Sequence, residues 1–277
     1  MSNHLSFDKQ VSIVSALAEG SSIRGISRML DVDKETVMNV GKRVGEGCAA
    51  YLDDRMRNLS CERLEADELW AFINKKQANC LPEDFKQGYG DAYTFVALDA
   101  ETKLVPAFHV GKRDYKSTNL FLSDLSMRLT KRIQLSTDGL IHYAPAVETT
   151  WGVGIDYGQI VKQFASPESA EQRRYSPPAV VKVDKAMLVG RPDPTKISTS
   201  FVEKQNHTVR MHCRRFARLT NGFSKKLENF KAAVALHFAY YNLVKFHGTI
   251  RCTPAMAAGV ERSPLTVKDL VFFSYQQ

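Results

Sequence analysis

Three widely separated acidic residues, Asp67, Asp138 and Glu203, stand where a carboxylate is costly or conspicuous. Asp67 lies inside the strand-like run RLEADELWAFI, with Leu64, Ala66, Leu69 and Phe72 available to pack. An acid in a buried strand costs free energy unless it is paired or binds a cation. Asp138 follows the short strand-like run RIQLST and precedes Gly139, at a strand's end, where ligands meet a sheet. Glu203 sits in STSFVEKQNHTVRMHCRRFARL, residues 198–219. That stretch opens on Ser and Thr cap candidates and has no Gly or Pro, so it reads as one helix. Advancing about 100° per residue gathers Phe201, Val202, Val209, Cys213, Phe216 and Leu219 into an arc of about 120°. The opposite arc carries Glu203, Asn206, His207, Arg210, Arg214 and Arg218. A lone carboxylate among cations and hydrogen-bonding groups suits phosphate chemistry. The same Glu203 could instead close a capping box with Ser200.

The charge distribution points the same way. The net charge of +8 is uneven: residues 200–231 hold 8 basic and 2 acidic side chains, whereas residues 1–60 hold 8 of each. A localised basic stripe is the usual footprint of a nucleic-acid backbone. Arg210, Arg214, Arg215 and Arg218 are therefore candidate phosphate contacts, which position DNA without reading sequence. The five cysteines are scattered and never form a CxxC pair, which argues against a disulfide framework or thiolate zinc site and suits a reducing cytoplasm. No run of 18 uncharged apolar residues and no signal-peptide core appears. No Walker loop or dinucleotide fingerprint is present, and His142 and His247 have no partner at a readable spacing.

The elements that must position these groups follow from periodicity. Residues 8–19 are helical in pattern and end at Gly20. Ile26, Leu30, Val32 and Thr36-Val37 then have the spacing of a helix-turn-helix, with Asp31 where many such units carry Gly. Its second helix would present Lys34, Thr36, Asn39, Lys42 and Arg43 to a DNA groove, although Gly41, Gly45 and Gly47 weaken it. The period changes after residue 60. A strand with Asp67 is followed by a two-strand unit turning at Asp99–Lys103, a helix over 114–129, a strand ending at Asp138, a helix, and a fifth strand. Residues 166–197 contain five prolines and read as an irregular insertion. The helix with Glu203, a second long apolar helix and a short docking segment complete the chain.

This order is that of an RNase H-like α/β domain with a mixed five-stranded sheet, in which the first and fourth strands lie side by side. Asp67 and Asp138 would then approach each other, and the later helix could add Glu203. Three carboxylates can hold two Mg²⁺ (or Mn²⁺) ions about 3.5–4 Å apart, one activating a nucleophile and one stabilising the leaving oxygen. Hard cations that keep waters call for oxygen ligands rather than His or Cys.

The segments ADELWAFI, IQLSTDG, STSFVEKQNHTVRMHCRRFARLTNGFSKKLEN and ALHFAYYNLVKFHGTIRCTPAMAAGV resemble the DDE transposases of bacterial insertion sequences, near the insertion-element-one group. The resemblance covers roughly residues 60–260. It implies a catalytic and metal-binding triad of Asp67, Asp138 and Glu203, with Glu203 in an SxVExxN context and Asn206 and His207 on its face. Together with the helix-turn-helix spacing read above, it divides the chain into a helix-turn-helix domain at 1–60, a catalytic domain at 61–247 carrying the insertion at 166–197, and a tail at 248–277. The expected partner is double-stranded DNA, as terminal repeats and target, bound by a homodimer or larger assembly in the bacterial cytoplasm. The cysteine-rich zinc-binding N-terminus of some relatives has no counterpart here. A metal-dependent nuclease or junction resolvase, or a non-catalytic DNA-binding regulator, would share many of these features.

Overall fold

The computed structural model describes residues 5–165, 180–217 and 220–276. The chain begins with three helices: α1 (Phe7–Ala18), α2 (Ile23–Leu30) and α3 (Lys34–Arg55). Ser6, Ser22 and Asp33 cap them by accepting hydrogen bonds from amides of the first turn. Asp31 closes α2 in the left-handed region, at φ 47° and ψ 59°. This is why Gly often occupies that place, and why a short polar side chain can substitute.

The sheet follows, as β1 (Arg63–Ile73), β2 (Gly90–Asp99), β3 (Phe108–Gly111), β4 (Gln134–Asp138), β5 (Asp156–Phe164) and β6 (Val180–Val189). A short helix α4 (Pro82–Lys86) precedes β2, while α5 (Tyr115–Ser126) and α6 (Tyr143–Trp151) make the crossovers into β4 and β5. The spatial order is β3-β2-β1-β4-β5-β6, with β1, β4 and β5 mutually parallel and β2, β3 and β6 antiparallel to their neighbours. Parallel neighbours need such helical crossovers, and antiparallel ones need only turns. The architecture is α/β, compatible with an RNase H-like core.

The sheet has six strands, not the five that periodicity suggests. The sixth lies within the proline-rich stretch 166–197, between Pro177-Pro178 and Pro192. Strand β6 is a mostly exposed edge strand, so it lacks the buried alternation that marks a strand in sequence. The part of that stretch at 166–179 lies outside the described residues.

The remaining helices are α7 (Ser200–His212), α8 (Leu227–Ala239), which runs on into a π-helical turn at Tyr240–Val244, α9 (Pro254–Ala257) and α10 (Val267–Phe273). The helix expected over 198–219 thus stops at His212. Cys213 is extended, and a short 3₁₀ turn then brings Phe216 into the core, 5.2 Å from the ring of Phe230. Burying that aromatic outweighs the local helical preference, and the single face drawn through Arg214 and Arg218 is not formed. Arg218 itself lies outside the described residues.

The N-terminal helices and C-terminal segment join one continuous core, running from Ile13, Ile26 and Val37 on the helical side through Leu64 and Phe95 in the sheet to Leu270. Helix α3 is unbroken despite its glycines, because two of them are contact points. A Cβ on Gly45 would stand 2.2 Å from the carbonyl oxygen of Ala232 on α8, and one on Gly47 2.8 Å from the backbone nitrogen of Ser274 after α10. Tyr51 stacks on Phe273 with ring centroids 3.8 Å apart. Asn242, in the π-turn, is fully buried and exchanges hydrogen bonds with the amide and carbonyl of Val105, clamping the helical layer to the sheet. A side chain at Gly45 forces α3 away from α8. Gly45→Ala should therefore destabilise the fold by about 1–3 kcal/mol, measured by denaturant unfolding, whereas Gly248→Ala, with nothing within 4 Å, should be near neutral.

Candidate metal centre

Registry brings the first two acids together. Strands β1 and β4 are paired through Ala66 and Thr137, and the next residues along are Asp67 and Asp138. Strand β4 stops there, so β1 has no β4 partner beyond this point, and further along the same edge Ile73 meets Ser224 in an isolated parallel bridge. Glu68 follows Asp67 directly, and strand alternation would send it to the other face. Its carboxylate nevertheless joins the group: one oxygen each from Asp67, Glu68 and Asp138 lie within 4.8 Å of one another. Sequence reasoning passes over Glu68 because alternation counts against it. Its one signal is the adjacency to Asp67, which becomes informative only once the end of β4 is known.

The surroundings temper the repulsion among these carboxylates. Arg113 Nε donates to Glu68 at 2.8 Å and its Nη2 stands 3.9 Å from Asp138. The hydroxyl of Tyr143 donates to Glu68 at 3.3 Å, and the amide of Leu140 donates to Asp138 at 3.0 Å. Asn206 on α7 donates its amide to Asp67 at 2.8 Å. Burial still dominates. It raises Asp67 to about 6, helped by the charges of Asp138 and Glu203, and Glu68 to about 7, helped by Asp138 and Asp67. Asp138 is raised as well, again by burial first.

Helix α7 is held over this group by a carboxylate absent from the sequence reading. Glu65, fully buried on β1, accepts from the amides of Phe201 and Val202 at 2.7 and 3.0 Å, in the first turn of α7. A negative group at a helix N-terminus satisfies amides that have no partner within the helix and meets the favourable end of the dipole. Desolvation raises the Glu65 pKa, and these two amides oppose that. The capping box between Ser200 and Glu203 is not formed, since Thr199 is the N-cap and Glu65 takes the amides.

Glu203 is therefore free for another role. It is exposed, ion-paired with Lys162 on β5, and accepts from the Thr199 hydroxyl at 2.6 Å. It stands near enough to Asp67 and Asp138 to raise both, but it is outside the three-carboxylate group. The Asn206 expected to face DNA is buried, with its amide turned to Asp67. His207 on the same helix is exposed, and Arg210 is half-buried. Of the residues expected to face a DNA groove from α3, Lys34 and Asn39 are exposed and Thr36 is half-buried, while Lys42 pairs with Glu46 at 3.0 Å. Arg43 is exposed, yet it bonds Gln10 and lies 5.0 Å from the ring centroid of Tyr275, so it knits α1, α3 and the C-terminus together along the surface.

The donor set fits a hard divalent cation: three carboxylates, oxygen ligands only, each with a pKa raised in a way that a nearby positive charge would reverse. Arg113 and Lys162 supply part of that charge from within the chain. No protein-family model and no curated protein matches this sequence.

Replacing Glu65 by Ala strands one buried and one part-buried amide and should cost on the order of 1–3 kcal/mol in denaturant unfolding, while Glu65→Gln, which keeps an acceptor, should lose less. Folding raises the pKa of Glu68, so its ionised form costs stability above the folded value of about 7 and the cost vanishes below the unfolded value. The stability of Glu68→Gln relative to the parent should thus rise between pH 5 and pH 8. Millimolar Mg²⁺ or Mn²⁺ should raise the parent's melting temperature more at pH 8 than at pH 5.5, and should not raise that of Asp138→Asn.

Proposed function

We propose that this chain is a DNA transposase, a metal-dependent enzyme that cuts and joins DNA strands. The observation that carries this reading is the placement of Asp67 and Asp138 side by side on adjacent parallel strands in mid-sheet, beneath the helix that bears Glu203. The resemblance of the surrounding segments to DDE transposases supports it. So do the helix-turn-helix geometry at α2–α3 and the basic excess after Ser200.

In this reading Asp67, Glu68 and Asp138 would hold a Mg²⁺ or Mn²⁺ ion, and Glu203, now paired with Lys162, would serve a second. Bound there, the cations supply Lewis-acid polarisation of the scissile phosphodiester. The chain's own residues do the rest. Asn206 fixes the orientation of the Asp67 carboxylate, and Arg113 holds Glu68 in its rotamer. Lys162 stands beside Glu203, where it can move from carboxylate to DNA phosphate. The exposed Lys34 and Asn39, with the basic residues after α7, hold the duplex, chiefly through phosphates. Cleavage at two DNA ends calls for two copies of the chain, so the working form is a dimer or larger.

The test is a strand-cleavage and joining assay on DNA flanking the chain's own coding sequence, with Mg²⁺ or Mn²⁺. We expect cleaved ends and joined products, both reduced at least a hundredfold in Asp138→Ala and Asp67→Ala, with DNA binding by mobility shift retained. Cleavage that never yields joined product from supplied 3′-hydroxyl ends would make the protein a nuclease. Binding with no metal-dependent cleavage would make it a regulator that keeps the fold.

A further inference from the structure

Away from the carboxylates, a cleft of about 800 Å³ opens between the helix-turn-helix and the segment that joins α7 to α8. Its volume is within the range of small-molecule sites. Its lining residues include six lysines and arginines, namely Arg24, Lys34, Lys42, Arg214, Arg215 and Lys225, and no Asp or Glu. Among the described residues, Arg24, Lys34, Arg214 and Lys225 form no ion pair with a carboxylate, and all four are exposed.

The inner wall is different in kind. His237 on α8 is 5% exposed and Ser224 is 1% exposed, and both line the cleft. Neither ring nitrogen of His237, nor the hydroxyl of Ser224, has a hydrogen-bond partner among the described residues. Buried polar atoms of this kind are nearly always satisfied, and leaving one bare costs about 1–3 kcal/mol. Burial lowers the His237 pKa to about 3, and His212 and Lys245 push the same way. The ring is therefore neutral at physiological pH, with one donor and one acceptor. Apolar wall comes from Leu17, Met38 and Leu236.

A cationic mouth over an inner wall with neutral, unsatisfied donors and acceptors matches a ligand that is anionic at one end and polar but uncharged at the other. We propose that this cleft is a nucleotide-binding site, separate from the acidic centre, that takes one nucleoside phosphate with its base against His237 and Ser224 and its phosphate on the rim cations. The nucleotide is either free or an unpaired residue of a DNA strand, since both present the same groups. The cleft begins at His212, the last residue of α7, which is nine residues or about 13 Å along the helix from Glu203.

Calorimetric titration of the full chain tests this, with deoxynucleoside monophosphates, a single-stranded pentanucleotide, and inorganic pyrophosphate as the charge control. Ser224→Ala and His237→Phe should each weaken nucleotide binding about tenfold and leave pyrophosphate binding unchanged. Arg24→Ala and Lys34→Ala should weaken both. Asp138→Asn should change neither, so a failed catalytic reading leaves this outcome intact. Binding of monophosphates identifies a free nucleotide as the occupant, and binding of the pentanucleotide alone identifies a residue of a strand. Melting curves check that each variant folds, and Ser224→Ala serves if His237→Phe does not. Absence of binding by either nucleotide form, equal affinity for nucleotide and pyrophosphate, or indifference to Ser224→Ala overturns the proposal and leaves the inner wall to ordered water.

Discussion

Two like charges forced together on neighbouring strands set the terms for the middle of this protein. The pairing of β1 with β4 leaves Asp67 and Asp138 little choice but proximity, and Glu68 adds a third carboxylate at the same place. In a half-buried setting such a group is unfavourable by itself. Arg113, Asn206, Tyr143 and the amide of Leu140 each offset part of the repulsion. They come from the β3–α5 connection, α7, α6 and the end of β4, so the carboxylates draw four parts of the chain toward one point. Burial still leaves the pKa values raised, and a cation is the simplest partner for what remains.

The position of Glu203 depends on a second acid of opposite character. Glu65 is wholly buried, and its hydrogen-bond partners among the described residues are two amides at the start of α7. By anchoring the first turn of that helix to β1, it fixes where Glu203 and Asn206 emerge relative to Asp67, two residues along the same strand. One strand thus carries both the acid that holds the helix and the acids that face the site. Strand alternation explains the separation of roles between Glu65 and its neighbours less well than the chain environment does, because Glu65 and Asp67 share a parity yet differ in burial and partners. The difference lies in what α7 offers each acid: Glu65 meets the amides of its first turn, whereas Asp67 meets the side chain of Asn206 a turn further along.

The two helical ends of the chain are bound to each other and to the sheet. Glycines that appear to weaken α3 are where its backbone meets α8 and the residues after α10, and Asn242 ties the π-turn to the loop after β2. Helices α2 and α3 consequently share one core with the strands that carry the carboxylates, and the basic cleft is formed where these helices meet the segment after α7. Arg43 shows what neighbours add to the reading of such a helix, for it stays exposed while contacting two other parts of the chain. Its charge suggests a groove contact, and Tyr275 and Gln10 fix where that charge stands.

Much of this was legible in the chain itself. Caps and periodicity located α1, α2 and the start of α3. Periodicity put Asp67 inside the first strand and Asp138 at the end of the fourth, because a pleated strand and a helical stripe leave distinct spacings, and the likeness of the element order to an RNase H-like domain supplied the expectation that these two strands are neighbours. Composition likewise located the excess of positive charge. What the fold alone decided were the features that depend on a neighbour far along the chain. Strand β6 pairs at an exposed edge and so leaves no hydrophobic alternation to read. The Glu203 helix ends at His212 because Phe216 finds Phe230, a contact that local propensity does not contain. Glu68 is held in the acidic group by Arg113 and Tyr143, both far along the chain, and Glu65 becomes a helix cap only because α7 returns across β1. Local spacing encodes which face a residue occupies, whereas the partner it meets there is set by the packing of distant segments.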